Sequence, residues 1–166
     1  MLSLPESNDK YEEFLKGLKL MSVGLKGCSA FVDRDGLHAI WDAKKNPVRD
    51  FKDTYSVTEI GNGYFEASGS FMVKVSETPA SRPVVTIECE FEAHLHGEKP
   101  LNAAFVERFV GSAFQLIVIP YARLFVSSVS AQMSIPPLVL PLSIESPKDS
   151  KSIVKKSKAV RAKAHR

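Results

Sequence analysis

Residues 64–96 read YFEASGSFMVKVSETPASRPVVTIECEFEAHLH, and the two-residue alternation in them decides the fold class. From Tyr64 onward, Phe65, Ala67, Gly69, Phe71, Val73 and Val75 share one side of an extended chain, and Tyr64, Glu66, Ser68, Ser70 and Lys74 share the other. Pro79 and Pro83 interrupt the run. After them Val85, Ile87, Cys89, Phe91, Ala93 and Leu95 alternate with Thr86, Glu88, Glu90, Glu92, His94 and His96. Two neighbouring strands, each with an apolar and an acidic face, predict an antiparallel sheet covered on one side only. Just upstream, Gly61-Asn62-Gly63 supplies the positive φ angles of a tight hairpin turn. No helix follows it, so it reads as a turn and not as a phosphate loop.

Toward the N-terminus, Asp9 and Glu12 read as a capping box, and Tyr11, Phe14, Leu15 and Leu18 recur at the spacing of a short amphipathic helix. Met21, Val23 and Leu25 then alternate with Ser22, Gly24 and Lys26, which predicts a first strand, with Gly24 and Gly27 leaving room for a bulge. The charge-rich segment 33–53, with Asn46-Pro47 inside it, predicts largely irregular chain anchored by Trp41.

Toward the C-terminus, residues 101–133 predict one long helix. Its polar positions Arg108, Ser112, Gln115, Arg123, Ser127 and Ser130 make only a narrow stripe. A single sheet cannot cover the rest, so Phe114, Ile117, Val118 and Phe125 are expected at an interface between subunits. Pro120 removes one helical hydrogen bond and predicts a kink or break near Leu116. The charges at Arg108 and Arg123 bracket 14 residues, too few to span a bilayer. The run from Ile135 to Pro141 predicts an extended segment pinned by prolines.

A chain of 166 residues, 44% hydrophobic and 25% charged, has the size and makeup of one domain with a real core. Two cysteines, Cys28 and Cys89, in no CxxC pair, argue against a disulfide scaffold and a zinc cluster and for a reducing, cytoplasmic setting. The N-terminus lacks the basic and apolar regions of a secretory signal. The net charge of +3 conceals a division. Residues 151–166 carry seven basic residues and no acidic one, which leaves the rest of the chain with 15 basic and 19 acidic residues. The chain therefore reads as an acidic body, residues 1–142, with a basic tail, residues 143–166, expected to be disordered.

Catalytic constellations are missing from the sequence. There is no G-x-S-x-G, and His38 and His165 stand alone. Glu92, His94 and His96 share a strand face, yet an open face lacks the enclosure a metal site needs, so no metal or other cofactor is expected. Cys89 points with the apolar residues and reads as an inert core thiol. The tail has the charge for nucleic acid or anionic lipid. It has no aromatic residue to stack on bases, so it would bind without sequence preference or act as a solubilising tail.

The stretch from Ile119 to Leu140, IPYARLFVSSVSAQMSIPPLVL, resembles the end of the long helix and the following linker of SecB, the bacterial protein-export chaperone: P-Y-A-R, twelve residues, then P-x-L-x-L. The strand around Glu88, Phe91 and Leu95 is similar to that family's last strand, and the likeness runs over roughly residues 18–142. It implies an α+β fold: a twisted four-stranded antiparallel sheet with a long kinked helix packed on one face. It also implies a tetramer built as a dimer of dimers, and an ATP-independent holdase, not an enzyme, that keeps unfolded clients in apolar grooves.

On this resemblance the groove candidates are Trp41, Tyr55, Val57, Phe65, Phe71, Ile87 and Phe91. Glu66, Glu88, Glu90 and Glu92 would form the sheet face that docks a partner, which in classical SecB is the translocase motor. Gln132 and Met133 replace the arginine and glycine that usually precede the linker, no amphipathic helix follows Leu142, and the tail is basic. With the added N-terminal helix, these features look closer to the SecB-like chaperones of toxin-antitoxin systems, whose partner is an antitoxin. The competing class is a nucleic-acid-binding or structural module that acts through its tail.

Overall fold

The computed structural model describes residues 4–98 and 101–141; the basic tail expected at 143–166 lies outside them. Helix α1 (Leu4–Gly17) leads into strand β1 (Lys19–Val32), helix α2 (Arg34–Asp42), strands β2 (Val48–Ile60), β3 (Tyr64–Ser76) and β4 (Val85–His96), and helices α3 (Ala103–Val110) and α4 (Phe114–Gln132). The strands form one sheet in the order β1-β4-β3-β2, and every neighbouring pair is antiparallel.

The alternation of residues 64–96 is realised as read. Phe65, Ala67, Phe71, Val73 and Val75 of β3 and Val85, Ile87, Cys89, Phe91, Ala93 and Leu95 of β4 are all buried on one face, the inner face. The β2–β3 hairpin turns at Gly61-Asn62-Gly63, where Gly63 has φ of 95°, a conformation open to glycine and strained for other residues. Helices α3 and α4 cover the inner face through Val106, Phe109 and Val110 and through Phe114, Val118, Ile119, Ala122 and Val126. The Phe65 and Phe109 rings meet edge to face at 5.9 Å. At Gly69 a Cβ atom would come within 3.1 Å of Val118, so the missing side chain is what lets α4 approach β3.

Four expectations are corrected. The segment 33–53 is not irregular: Asp33 caps α2 by accepting from the Gly36 N–H at 3.1 Å, Leu37 and Ile40 bury the helix, and β2 starts directly after Pro47. The polar composition of 33–35 is that of a helix start, not of a loop. Asp9 is not an N-cap, because α1 begins at Leu4 and Asp9 lies inside it. The long helix is not single; it breaks at Gly111–Ala113 into α3 and α4, and α4 runs on through Pro120. Glycine at the C-cap ends α3, whereas Pro120 leaves the carbonyl of Leu116 without its helical N–H partner. In β1, the inner residues are Leu20, Val23 and Leu25, because Met21 is a bulge residue that resets the alternation.

The segment after α4 is extended, as the prolines predict. Ile135, Leu138 and Leu140 are buried, and Pro136, Pro137 and Val139 face out. The Ser130 hydroxyl pins it from the core, donating to the Val126 carbonyl at 2.7 Å and accepting from the Leu138 N–H at 3.3 Å. By length and composition the stretch Ala103–Gln132 is long and apolar enough to cross a membrane, with an 18-residue window of mean hydropathy 1.6, more than the count between charges suggested. Here its two halves lie against the sheet instead.

Candidate client-binding surface

The helices cover β2, β3 and β4 but leave β1 open. The inner residues of β1 stand directly opposite buried residues of β4, Leu20 against Leu95, Val23 against Ala93, Leu25 against Phe91 and Ala30 against Ile87. Leu20 and Leu25 nevertheless keep 45% of their surface exposed. Phe91 forms the floor beside them, and α4 supplies the far wall: the Tyr121 and Phe125 rings each lie 6.2 Å from the Phe91 ring. A strip of apolar side chains, Leu20, Val23 and Leu25 with Tyr121 and Phe125, thus borders a well-formed core.

The outward side of α4 carries a second apolar patch. Leu116 is 77% and Leu124 69% exposed, against zero for Phe114 and Val118. The interface residues expected from sequence are corrected accordingly: Phe114 and Val118 belong to the core of the protomer, Ile117 and Phe125 are partly buried against it, and the free apolar residues are Leu116, Tyr121 and Leu124.

The seven groove candidates do not converge. Phe65, Phe71 and Ile87 are closed off beneath the helices and serve packing. Tyr55 and Val57 are half-buried on edge strand β2, where Tyr55 meets the Phe71 and Phe114 rings edge to face at 5.9 and 6.2 Å. Burial, and after it the Asp53 carboxylate, raises the Tyr55 phenol above its usual pKa. Trp41 is exposed on α2, and among the described residues its one ring neighbour is His38, 5.8 Å away. Phe91 alone reaches the open strip. The residues that sequence reasoning missed, Leu20, Tyr121 and Leu124, are marked by nothing but their apolarity; the sheet order that makes β1 an uncovered edge is what exposes them.

The outer sheet face is more balanced than its run of glutamates suggested. Glu88 accepts from the Ser29 hydroxyl at 3.4 Å, Lys26 pairs with Glu90 and Glu92 at 3.4 and 3.1 Å, and His94 sits between Glu66 and Glu92 at 3.2 and 3.4 Å. The hydrogen bond to Glu92 is the main reason that the Lys26 ammonium is held above its usual pKa. A shallow depression of 480 Å³ crosses all four strands here, lined by Ser29, Lys52, Thr54, Met72, Glu88 and Glu90 among others. Among the described residues no group of three or more His, Cys, Asp or Glu converges on a metal position.

One four-stranded antiparallel sheet with the long helical stretch, α3 and α4, on its inner face is a fold shared with a SecB-like chaperone of known structure. The solved structure of the Mycobacterium tuberculosis Rv1957 SecB-like chaperone, in complex with a ChAD peptide from the Rv1956 HigA1 antitoxin, is similar to this chain at a TM-score of 0.68 and 17% identity, over 83% of this chain and 99% of that one. A Streptococcus agalactiae protein of unknown function is similar at a TM-score of 0.45 and 9% identity, over 75% of this chain and 96% of that one. No protein-family model and no curated protein sequence matches the chain.

Proposed function

We propose that this chain is a cytoplasmic, ATP-independent holdase that binds unfolded polypeptide, and that an antitoxin is its foremost client. The observation that carries the reading is the open apolar strip of β1 and α4, set beside a core that is otherwise closed. Each large side chain left in water forgoes about 1.5–3 kcal/mol of burial, so a surface of this kind is kept for a partner. An unfolded segment repays that cost through many weak contacts without chemistry, nucleotide or metal. The likeness to a SecB-like chaperone solved with an antitoxin peptide supports the client class. Pairing of Glu90 and Glu92 with Lys26 leaves less free charge for a translocase motor, so export is the weaker reading. On this reading the outward α4 residues Leu116 and Leu124 join protomers into a dimer of dimers.

The test is suppression of aggregation. A urea-unfolded test protein is diluted into buffer with an equimolar amount of the chain, and light scattering is followed. Suppression is expected from the wild type and is largely lost in the double variant Leu25→Asp with Tyr121→Ser, whose circular dichroism should match wild type. Failure of the wild type to suppress scattering would end the proposal. A toxin-antitoxin pair encoded beside the gene, with the antitoxin retained by wild type and released by the variant, is the result expected for a dedicated role.

A further inference from the structure

Cys28 and Cys89 lie 61 positions apart, but the sheet brings them face to face as direct register partners across the β1–β4 pair. Direct partners in an antiparallel pair have Cα atoms about 4.5 or 5.5 Å apart and side chains on the same face, inside the window of about 4.4–6.8 Å that a disulfide requires. The bulge at Lys26 is what creates the match. Leu25 faces inward opposite Phe91, and strict alternation would turn residue 28 outward; the extra residue between Leu25 and Gly27 returns Cys28 to the inner face, opposite Cys89. The two thiols also differ in access. Cys28 is exposed on the uncovered edge, whereas Cys89 is 3% exposed, and burial pushes its thiol up to about 12. One sulfur is thus open to an oxidant and the other is shielded from all but its neighbour.

We propose that Cys28 and Cys89 form a reversible cross-strand dithiol–disulfide couple that ties edge strand β1 to β4. The oxidant is a low-molecular-weight disulfide. The Cys28 thiolate attacks one of its sulfurs and releases one thiolate, leaving a mixed disulfide on Cys28. Cys89 gives up its proton and attacks the Cys28 sulfur, releasing the second thiolate. The two cysteine protons end on the two released thiols, and the two electrons have passed to the oxidant. The couple stands whether or not the chain holds unfolded clients.

The experiment incubates the full chain with oxidised glutathione, quenches it with acid, and reads intact mass and non-reducing peptide maps. The expected product is a monomeric chain lighter by two hydrogens, with the peptides of Cys28 and Cys89 linked. Cys89→Ser should instead stop at one glutathione adduct on Cys28, and Cys28→Ser should remain unmodified. The linked form, which closes a loop of some sixty residues, should melt at least about 5 °C higher than the reduced form. A wild type that accumulates the Cys28 adduct or a Cys28-linked dimer, with Cys89 still free, would overturn the couple. Linkage without a rise in Tm would overturn the tie between the strands.

Discussion

The inner faces of β4 and β1 have opposite fates although they carry the same kind of pattern. Phe91, Ala93 and Leu95 of β4 are buried, while their register partners Leu25, Val23 and Leu20 of β1 are half-covered or bare. The cause is width. A helix with its side chains is about 10–12 Å across and strands are about 4.8 Å apart, so one helix covers roughly two strands. Helix α3 lies over β2 and α4 over β3 and β4, and among the described residues no helix packs extensively on β1. Apolarity alone therefore does not place a residue in a core; position relative to the helices does, and in this fold the uncovered apolar strand is the part available to a partner.

The largest expected effect comes from charging the two sides of α4. Val118 has no exposed surface and packs against the bare backbone of Gly69. Val118→Asp buries a carboxylate with no partner, at a cost of several kcal/mol, and should leave the chain largely unfolded by circular dichroism. Leu116→Asp, two residues away and 77% exposed, should keep the wild-type spectrum. If the outward side of α4 joins protomers, Leu116→Asp should also lower the mass by light scattering. A Val118→Asp chain that folds and only changes its mass would reverse the assignment of the two sides.

The same contrast can be sharpened on the sheet. Phe65→Ala removes a fully buried ring that meets Phe109, and should cost about 3–5 kcal/mol in urea unfolding. Leu25→Ala, on the strand that no helix covers, should cost less than about 1 kcal/mol. Equal losses at the two sites would mean that β1 is covered in solution, as an assembly through that edge would make it.

These contrasts show where the sequence was legible. The β3 and β4 faces could be read residue by residue because a half-covered sheet imposes a period of two, and the hairpin turn because Gly63 needs a positive φ. The SecB-like fold was reached through the resemblance of residues 119–140 to that family's helix end and linker, P-Y-A-R followed after twelve residues by P-x-L-x-L. Helix α2 was not, since its signal is one cap and two buried residues within a polar stretch. The break at Gly111 was not legible, because a proline is a stronger local cue than a glycine in an apolar run and Pro120 pointed to a kink near Leu116. The open strip could not be read at all: the alternation in β1 says that one face is apolar, but only the strand order β1-β4-β3-β2 says that it lies at an edge.

A smaller effect is expected at Ser130, which ties the closing segment to α4 from inside the core. Ser130→Ala removes the acceptor of the Leu138 N–H, a buried backbone donor, and frees the Val126 carbonyl from its second partner. The loss should be about 1–3 kcal/mol in urea unfolding. It should be accompanied by faster hydrogen exchange at Leu138, while the exchange of β3 and β4 amides follows only the global change. Unchanged exchange at Leu138 would mean that the segment is held by the apolar contacts of Ile135, Leu138 and Leu140 alone.

The smallest effect concerns what keeps β1 in place where no helix does. Beyond its hydrogen bonds to β4, β1 has Lys26, the residue of the second bulge, which reaches Glu92 and Glu90 across the outer face. The pairs are exposed, so Lys26→Met should cost only about 0.2–1 kcal/mol, and less again in about 0.5 M salt. The pH dependence has a definite sign. The hydrogen bond to Glu92 and the charge of Glu90 outweigh desolvation and hold the folded-state pKa of Lys26 above its ordinary value of 10.5. The folded state thus keeps the proton longer than the unfolded state, so the contribution is whole below 10.5 and is lost as pH rises through the higher folded value. The difference in urea midpoint between wild type and Lys26→Met should therefore stay constant from neutral pH to about 10 and shrink above it. A difference that persists at high pH would assign the role of Lys26 to its aliphatic stem on the bulged strand and not to its charge.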